Sequence, residues 1–90
     1  MSPHVTVLLP VHNGGRFLRE AIESILEQSF EQYELLVVDD CSTDNSAAIV
    51  ETFSDRRIRL IRSESRLKLS GVLNRGLGQC TGKYVARMDA

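Results

Sequence analysis

Two adjacent carboxylates stand directly after an apolar segment in the middle of the chain. Asp39 and Asp40 follow residues 35–38, which read Leu-Leu-Val-Val, and precede a polar stretch at residues 41–46. Neighbouring carboxylates repel each other unless a cation, a hydrogen-bond donor or water relieves the repulsion. The pair predicts either a helix-capping loop, with one aspartate solvated and the other accepting backbone N–H bonds, or a site where one carboxylate accepts an N–H from a nucleotide base.

A second polar segment follows the first apolar run of the chain. Four residues there are candidates for ligand contact: Pro10, Val11, His12 and Asn13. Gly14 and Gly15 come next, and they let the backbone approach a ligand because they lack a Cβ. The segment contains neither Gly-x-Gly-x-x-Gly nor Gly-x-x-x-x-Gly-Lys, which argues against a dehydrogenase or a P-loop site. His12, taken alone, is more typical of a partly exposed loop than of a ligand contact.

A third carboxylate, Asp89, follows the last apolar segment, two residues after Arg87. A carboxylate at the carboxyl end of a strand suits Mg²⁺ on a diphosphate, because this ion takes one or two carboxylates together with phosphate oxygens. Arg62, Arg66 and Lys68 form a basic cluster. On charge alone this cluster is a solvated surface or a group that neutralises an anionic leaving group.

The spacing of apolar residues predicts the strands and helices that position these side chains. We expect strands ending near Leu9 and at residues 33–39, 57–62 and 83–88, with helices at residues 16–28, 47–53 and 69–80 whose buried stripes include Phe17 and Leu77. This alternation indicates α/β architecture: an open, mostly parallel Rossmann-like sheet of about four strands with three helices. Ligands bind such sheets at the carboxyl ends of the strands.

Composition and charge narrow the class of protein further. The 90 residues are 42% hydrophobic and 26% charged, which is typical of one small globular domain and argues against disorder, collagen or coiled coil. The net charge of -1 conceals two unlike parts: residues 1–55 carry -8, from two basic and ten acidic side chains, and residues 56–90 carry +7, from nine basic and two acidic. No motif supports nucleic-acid binding by the basic part.

The compartment is predicted from what the sequence lacks. Its apolar runs are far shorter than the ~20 residues of a membrane span, and no signal peptide precedes them. Cys41 and Cys80 have no metal-ligand spacing, which favours reduced thiols over a disulfide. We therefore expect a cytoplasmic protein, located at the inner membrane face when it is part of a longer chain.

Three separate segments, in order, resemble the family 2 glycosyltransferases of the GT-A fold. They read Val-Thr-Val-Leu-Leu-Pro-Val-His-Asn-Gly at residues 5–14, Leu-Leu-Val-Val-Asp-Asp-Cys-Ser-Thr-Asp at 35–44 and Gly-Lys-Tyr-Val-Ala-Arg-Met-Asp-Ala at 82–90. Residues 21–30 and 72–76 are similar to the family as well. The resemblance covers essentially the whole chain and implies that residues 1–90 are the nucleotide-sugar-binding part of a GT-A domain.

The resemblance also implies roles for single residues. The segment from Pro10 through Val11 and His12 to Asn13, together with Asp40, holds the nucleoside, usually uridine, with the carboxylate on the base. Asp39 supports the loop, and Lys68 and Arg87 lie in the surroundings of the diphosphate. Asp89 is the first residue of an Asp-x-Asp motif that orders Mg²⁺ or Mn²⁺ on the diphosphate, and the sequence ends inside this motif.

Three departures from the family pattern affect these expectations. His12 stands where the family commonly has an aromatic residue after Pro-Val. We therefore expect an imidazole to stack on the base. Residues 66–68, Arg-Leu-Lys, stand where many relatives carry Asn-x-Gly, which affects the conformation of that loop. Cys41 replaces a glycine that often follows the two aspartates, and this should change the turn.

The implied activity is glycosyl transfer from a nucleoside-diphosphate sugar, usually a UDP-sugar, to an acceptor hydroxyl, with inversion at the anomeric carbon. A carboxylate base deprotonates the acceptor while a metal and cations stabilise the departing nucleoside diphosphate. That base is expected after Ala90, so that the 90 residues alone should be inactive. The alternatives are a self-associating α/β unit without catalysis and a receiver-like signalling domain, which needs its acidic pair after the first strand.

Overall fold

The structure is a computed structural model, and it describes residues 5–28, 32–63, 65–80 and 84–87. Strands and helices alternate along the chain in the order β1 (Val5–Val11), α1 (Gly15–Leu26), β2 (Tyr33–Asp40), α2 (Ser46–Glu51), β3 (Ile58–Ser63), α3 (Lys68–Gln79) and β4 (Tyr84–Arg87). All four strands are parallel, in the spatial order β3-β2-β1-β4. The predicted open, parallel α/β sheet with three helices is confirmed. Lys83 and Met88, the predicted ends of the last strand, lie outside the described residues.

The helices cover both faces of the sheet and create two apolar layers. On one face, side chains of α1 and α2 such as Ile22 and Val50 pack with Leu35 and Val37 of β2. On the other face, Val72 of α3 packs with Leu36 and other residues of β1 and β2. Every residue of β2 is buried. This explains its nearly continuous apolar sequence, because a central parallel strand has no solvent-facing side.

Strand β1 extends through Pro10, beyond the predicted end near Leu9. Proline has no N–H to donate and is tolerated in a strand where one side lacks a partner. Within the described residues, β4 pairs with β1 only from Val5 to Leu8, so that Pro10 lies past the end of this ladder. β1 still pairs with β2 through Val11, and this pairing carries the strand to the edge of the sheet.

Two residues of the predicted apolar stripes are exposed. Phe17 of α1 and Leu77 of α3 are 57% and 54% exposed, whereas their chain neighbours Leu18 and Gly76 are buried. Successive helical residues point about 100° apart, so that a stripe centred on Leu18 or Gly76 turns the neighbouring residue away from the sheet. The prediction that Phe17 and Leu77 are buried is therefore wrong.

Among the described residues, no helix has the length and apolar character needed to cross a membrane.

Candidate functional site

The carboxyl ends of β1, β2 and β3 meet at one edge of the sheet, where they bring together several predicted site residues. In the strand register Val11 lies opposite Asp39, and Asp40 lies opposite Ser63. A cavity of about 400 Å³ opens at this edge. It is lined by Cys41, Ser42, Arg62 and Ser63.

Asn13 ties the loop after β1 to the loop after β2. Its Oδ1 accepts from the backbone N–H of Thr43 at 2.7 Å and of Asp44 at 3.2 Å, and its own N–H donates to Ser42 Oγ at 2.9 Å. Asn13 has a φ of 51°, a left-handed conformation that asparagine tolerates better than most residues. The two loops therefore form one hydrogen-bonded unit beside the cavity.

His12 is held in one tautomer by its neighbours. Its Nδ1 lies 2.7 Å from the carbonyl oxygen of Asp40, and because a carbonyl only accepts, Nδ1 must carry the proton. In the neutral ring Nε2 is then the acceptor, and Asn13 Nδ2 lies 3.3 Å from it. The ring is otherwise exposed at the edge of the sheet. The imidazole is therefore an exposed group beside the backbone of Asp40.

Asp39 is almost completely buried, with 1% of its surface exposed. Its Oδ1 accepts from the backbone N–H of Ser42 at 3.1 Å, which fixes the turn that follows β2. Its Oδ2 lies 3.5 Å from Arg62 Nε and has no hydrogen-bond partner among the described residues. The charge of Asp39 is thus balanced by a half-exposed arginine from the neighbouring strand.

Asp40 is also buried, and its carboxylate holds the beginning of α3. Oδ1 accepts from Leu67 N at 2.6 Å, while Oδ2 accepts from Lys68 N and Arg66 Nε, both at 2.8 Å. Burial alone would raise the pKa of Asp40, but the bonds from Leu67, Arg66 and Lys68 outweigh it and lower the pKa below its usual range. A carboxylate at a helix N-terminus is further stabilised by the helix dipole.

The repulsion between the two aspartates is therefore relieved by two separate arginines. Arg62 from β3 pairs with Asp39, and Arg66 from the following loop pairs with Asp40. Of the two arrangements predicted for the adjacent pair, the helix-capping one occurs in part, because Asp40 accepts backbone N–H bonds at the beginning of α3. Contact of a carboxylate with a nucleotide base stays a prediction. Neither carboxylate is solvated, because the two side chains lie on opposite faces of a buried strand.

Two positions where the family resemblance expects glycine keep a glycine-like backbone. Cys41 has a φ of 57° and Lys68 a φ of 62°, both in the left-handed region. The change of turn expected from Cys41 is thus not seen. At Lys68 this conformation directs the backbone N–H to Asp40 Oδ2, and the residue itself is exposed.

The remaining candidate residues are not part of this cluster. Arg87 is exposed and lies opposite Leu8 on β4. Leu8 precedes Val11 by three residues, about 10 Å along a strand. Asp89 lies outside the described residues. Within the described part of the chain, no group of three or more His, Cys, Asp or Glu side chains could hold a metal ion.

Sequence reasoning did not include Arg66, Ser42 or Thr43 among the nucleotide-binding residues. Arg66 contacts Asp40 across 26 positions of sequence, and the two polar residues contact Asn13 across about 30. The only sequence signal for Arg66 was its place in the basic cluster. For Ser42 and Thr43 it was their place in the polar stretch after the two aspartates.

A parallel α/β sheet with a polar cleft at the carboxyl ends of its strands is typical of Rossmann-like domains, which bind their ligands at this edge. Residues 6–90 match the sequence model of the family described as Glycosyl transferase family 2. The chain belongs to this family.

Relatives of known name agree with this assignment. The glycosyltransferase GlyG of Streptococcus pneumoniae is 35% identical, over 100% of this chain and 31% of its own length. The Escherichia coli protein WfgD, a UDP-Glc:alpha-D-GlcNAc-diphosphoundecaprenol beta-1,3-glucosyltransferase, is 35% identical over 96% of this chain and 34% of its own length. The chain spans about a third of the length of these relatives.

Solved structures show the same GT-A fold. The mannosyltransferase PcManGT of Pyrobaculum calidifontis, in complex with GDP-Man and Mn²⁺, superimposes with a TM-score of 0.89 at 32% identity and covers 99% of this chain and 28% of its own. TarS 1-349 of S. aureus, in complex with UDP-GlcNAc, has a TM-score of 0.91 at 29% identity and covers 96% and 26%.

Proposed function

We propose that this chain is the donor-binding part of a glycosyltransferase. The enzyme would move a sugar from a nucleoside-diphosphate sugar to an acceptor hydroxyl, with inversion at the anomeric carbon, and its donor would be a UDP-sugar. The observation that carries the proposal is the cavity of about 400 Å³ at the carboxyl edge of the sheet, whose lining includes Arg62 and the turn at residues 41–42 that directly follows the two buried aspartates. Two structural relatives hold GDP-Man and UDP-GlcNAc, which supports a nucleoside-diphosphate sugar as the ligand.

In this proposal the described residues bind and orient the donor. Pro10, Val11, His12 and Asn13 form one wall of the nucleoside pocket, with the exposed imidazole of His12 available for stacking on the base. Asp40 is the acceptor for an N–H of the base, and Asp39 keeps the turn after β2 in place. Lys68 and Arg87 are proposed to lie near the diphosphate, where cationic side chains stabilise the departing group.

The base that deprotonates the acceptor hydroxyl is proposed to come from outside the 90 residues. This part of the chain then supplies donor binding, and by itself it binds nucleotide weakly and transfers no sugar. Direct displacement needs the base and the leaving group on opposite sides of the anomeric carbon. The acceptor pocket is therefore proposed to lie on the side of the anomeric carbon opposite the departing diphosphate.

A divalent ion, Mg²⁺ or Mn²⁺, is proposed to bind at Asp89. Among the described residues the donor set does not fit such an ion, because Asp39 and Asp40 are already paired with arginines and backbone N–H groups. When bound, the ion would supply charge neutralisation at the diphosphate.

Nucleotide binding can be tested by titrating the ¹⁵N-labelled chain with UDP and Mg²⁺ to millimolar concentration. We expect amide resonances near Asn13, Asp40 and Lys68 to shift, since these residues lie at the carboxyl edge. Asp40→Asn should reduce the shifts. Asp55→Asn is the matched control, because Asp55 also pairs with an arginine but precedes β3 at the opposite edge. Unchanged wild-type spectra would contradict the proposal.

A further inference from the structure

The hydrogen-bonding capacity of the Asp40 carboxylate is nearly filled by the protein itself. An ionised carboxylate offers about four acceptor positions. Among the described residues three donors occupy them: Leu67 N on Oδ1, and Lys68 N and Arg66 Nε on Oδ2. The Asp40 side chain is only 4% exposed, so that the remaining position has almost no access from solvent.

The three donors differ in how easily they can leave. The N–H groups of Leu67 and Lys68 belong to the backbone at the beginning of α3, and losing them would unwind the first turn of that helix. Arg66 donates through a side chain that is 48% exposed. A guanidinium on a flexible, half-exposed stem can rotate into water, which replaces its own hydrogen bond. The cost falls on the buried carboxylate, which then needs another N–H donor.

We propose that Arg66 controls access of the nucleobase to Asp40: its guanidinium occupies the carboxylate in the free protein and is displaced when an N–H donor of the base binds. This inference rests on the proposed nucleotide binding and adds a residue that competes with the ligand. The exchange keeps the number of hydrogen bonds to Asp40 constant, since one N–H donor replaces another.

The competition lowers the apparent affinity for the base. When only a fraction of molecules has Arg66 turned away, the apparent dissociation constant equals the intrinsic constant divided by that fraction. Removal of the guanidinium should therefore tighten binding of a ligand that has the base but no phosphate. An arginine whose role is to attract the diphosphate would show the opposite effect, or none, with such a ligand.

The test compares the neutral nucleoside uridine with UDP on the full 90-residue chain and on Arg66→Met, which keeps an unbranched apolar stem and removes the guanidinium. We expect the dissociation constant for uridine, from amide shifts, to fall roughly threefold to tenfold in this variant. Arg57→Met is the matched control, because Arg57 also pairs with an aspartate but precedes β3 at the opposite edge. Its uridine affinity should stay within about twofold of wild type.

A second readout follows Arg66 directly through its side-chain Nε–H resonance in the ¹⁵N-labelled wild-type chain. Saturating uridine should move this resonance to the position of a solvated guanidinium. If UDP binds but the resonance stays in place, or if Arg66→Met binds uridine no better than wild type, the access role is wrong while the proposed function stands. If neither uridine nor UDP binds to any of the proteins, both proposals are wrong.

Discussion

At the scale of single residues, Asp39 and Asp40 show how position separates two identical side chains. Alternation along β2 sends them to opposite faces of the sheet, so that each meets a different arginine. Asp39 holds its own turn through Ser42, whereas Asp40 holds a helix that begins 28 positions later. The carboxylate of Asp40 therefore connects the proposed nucleotide pocket with the stability of the fold.

The stability of the protein should fall in acid through Asp40. Its folded-state pKa lies below the ordinary value of 3.8, so that the ionised form stabilises the folded protein above that value, and the stabilisation is lost as the pH falls through the lower folded-state pKa. We expect the free energy of unfolding in urea to decrease as the pH is lowered from 5 to 3, and to decrease less in Asp40→Asn.

Glu23→Gln, which changes an exposed carboxylate on α1, controls for the loss of one negative charge. An equally steep decrease in Asp40→Asn and in wild type would show that the bonds from Arg66, Leu67 and Lys68 contribute nothing to the acid sensitivity.

At the scale of elements, the position of α3 depends on one close approach to the sheet. A Cβ built on Gly76 would lie 2.5 Å from Leu8 Cδ1 and 3.3 Å from Val38 Cγ2. Gly76 thus lets the last part of α3 pack directly against β1 and β2. The same helix contains Gly78, around which no atom lies within 4 Å of a built Cβ.

These two glycines provide a matched pair of substitutions. Gly76→Ala should lower the free energy of unfolding by about 1–3 kcal/mol, because the added methyl group forces the buried Leu8 side chain to shift within the core. Gly78→Ala should raise it by up to about 1 kcal/mol, since alanine favours the helix and meets no neighbour. Thermal and urea unfolding followed by circular dichroism measure both changes. A stabilising Gly76→Ala would mean that α3 is not held in this close contact.

At the scale of the whole molecule, ion pairs bring the acidic part of the chain, residues 1–55, into contact with the basic part, residues 56–90. Two of these pairs join the neighbouring strands β2 and β3. Among the described residues, four ion pairs join the two parts: Glu34 to Arg59, Asp39 to Arg62, Asp40 to Arg66 and Asp55 to Arg57. Glu34 is buried and also accepts from Thr6 Oγ1 at 2.7 Å. The basic part therefore serves first to balance the buried carboxylates of β2.

The sheet also has an uncovered end. β4 is last in the strand order, and all four of its residues are exposed, including Tyr84 at 56% and Val85 at 44%. Parallel strands are normally covered on both faces, and an exposed apolar edge strand favours pairing with another chain. We therefore expect the 90-residue chain to self-associate in solution.

Light scattering over a concentration series measures this association as an increase in mean mass. Val85→Lys should shift the increase to higher concentration, because a charge on an edge strand opposes strand pairing. Ala48→Lys adds the same charge to an exposed position of α2 and should leave the association unchanged. A monomer at every concentration would show that this edge does not pair.

The amino-acid sequence by itself determined the type and order of the elements and the edge where the site lies. Apolar periodicity is a local property, and strands that alternate with helices can form little other than a parallel sheet. This is why residues as distant as Asn13 and Asp40 could be assigned to one edge. The resemblance to glycosyltransferases, carried by three short segments, identified the family that residues 6–90 match.

Only the tertiary structure decided which groups meet at that edge. The Asp40 carboxylate accepts hydrogen bonds from Arg66, Leu67 and Lys68. Asn13 accepts one from the loop after β2, and all these contacts span 26 or more positions of sequence. Such pairings depend on how the two faces of the sheet are covered, which has no local signal, and on the left-handed backbone at Lys68, which a lysine does not indicate by itself. The physical reason is that a hydrogen bond forms wherever folding brings donor and acceptor together, independently of their separation along the chain.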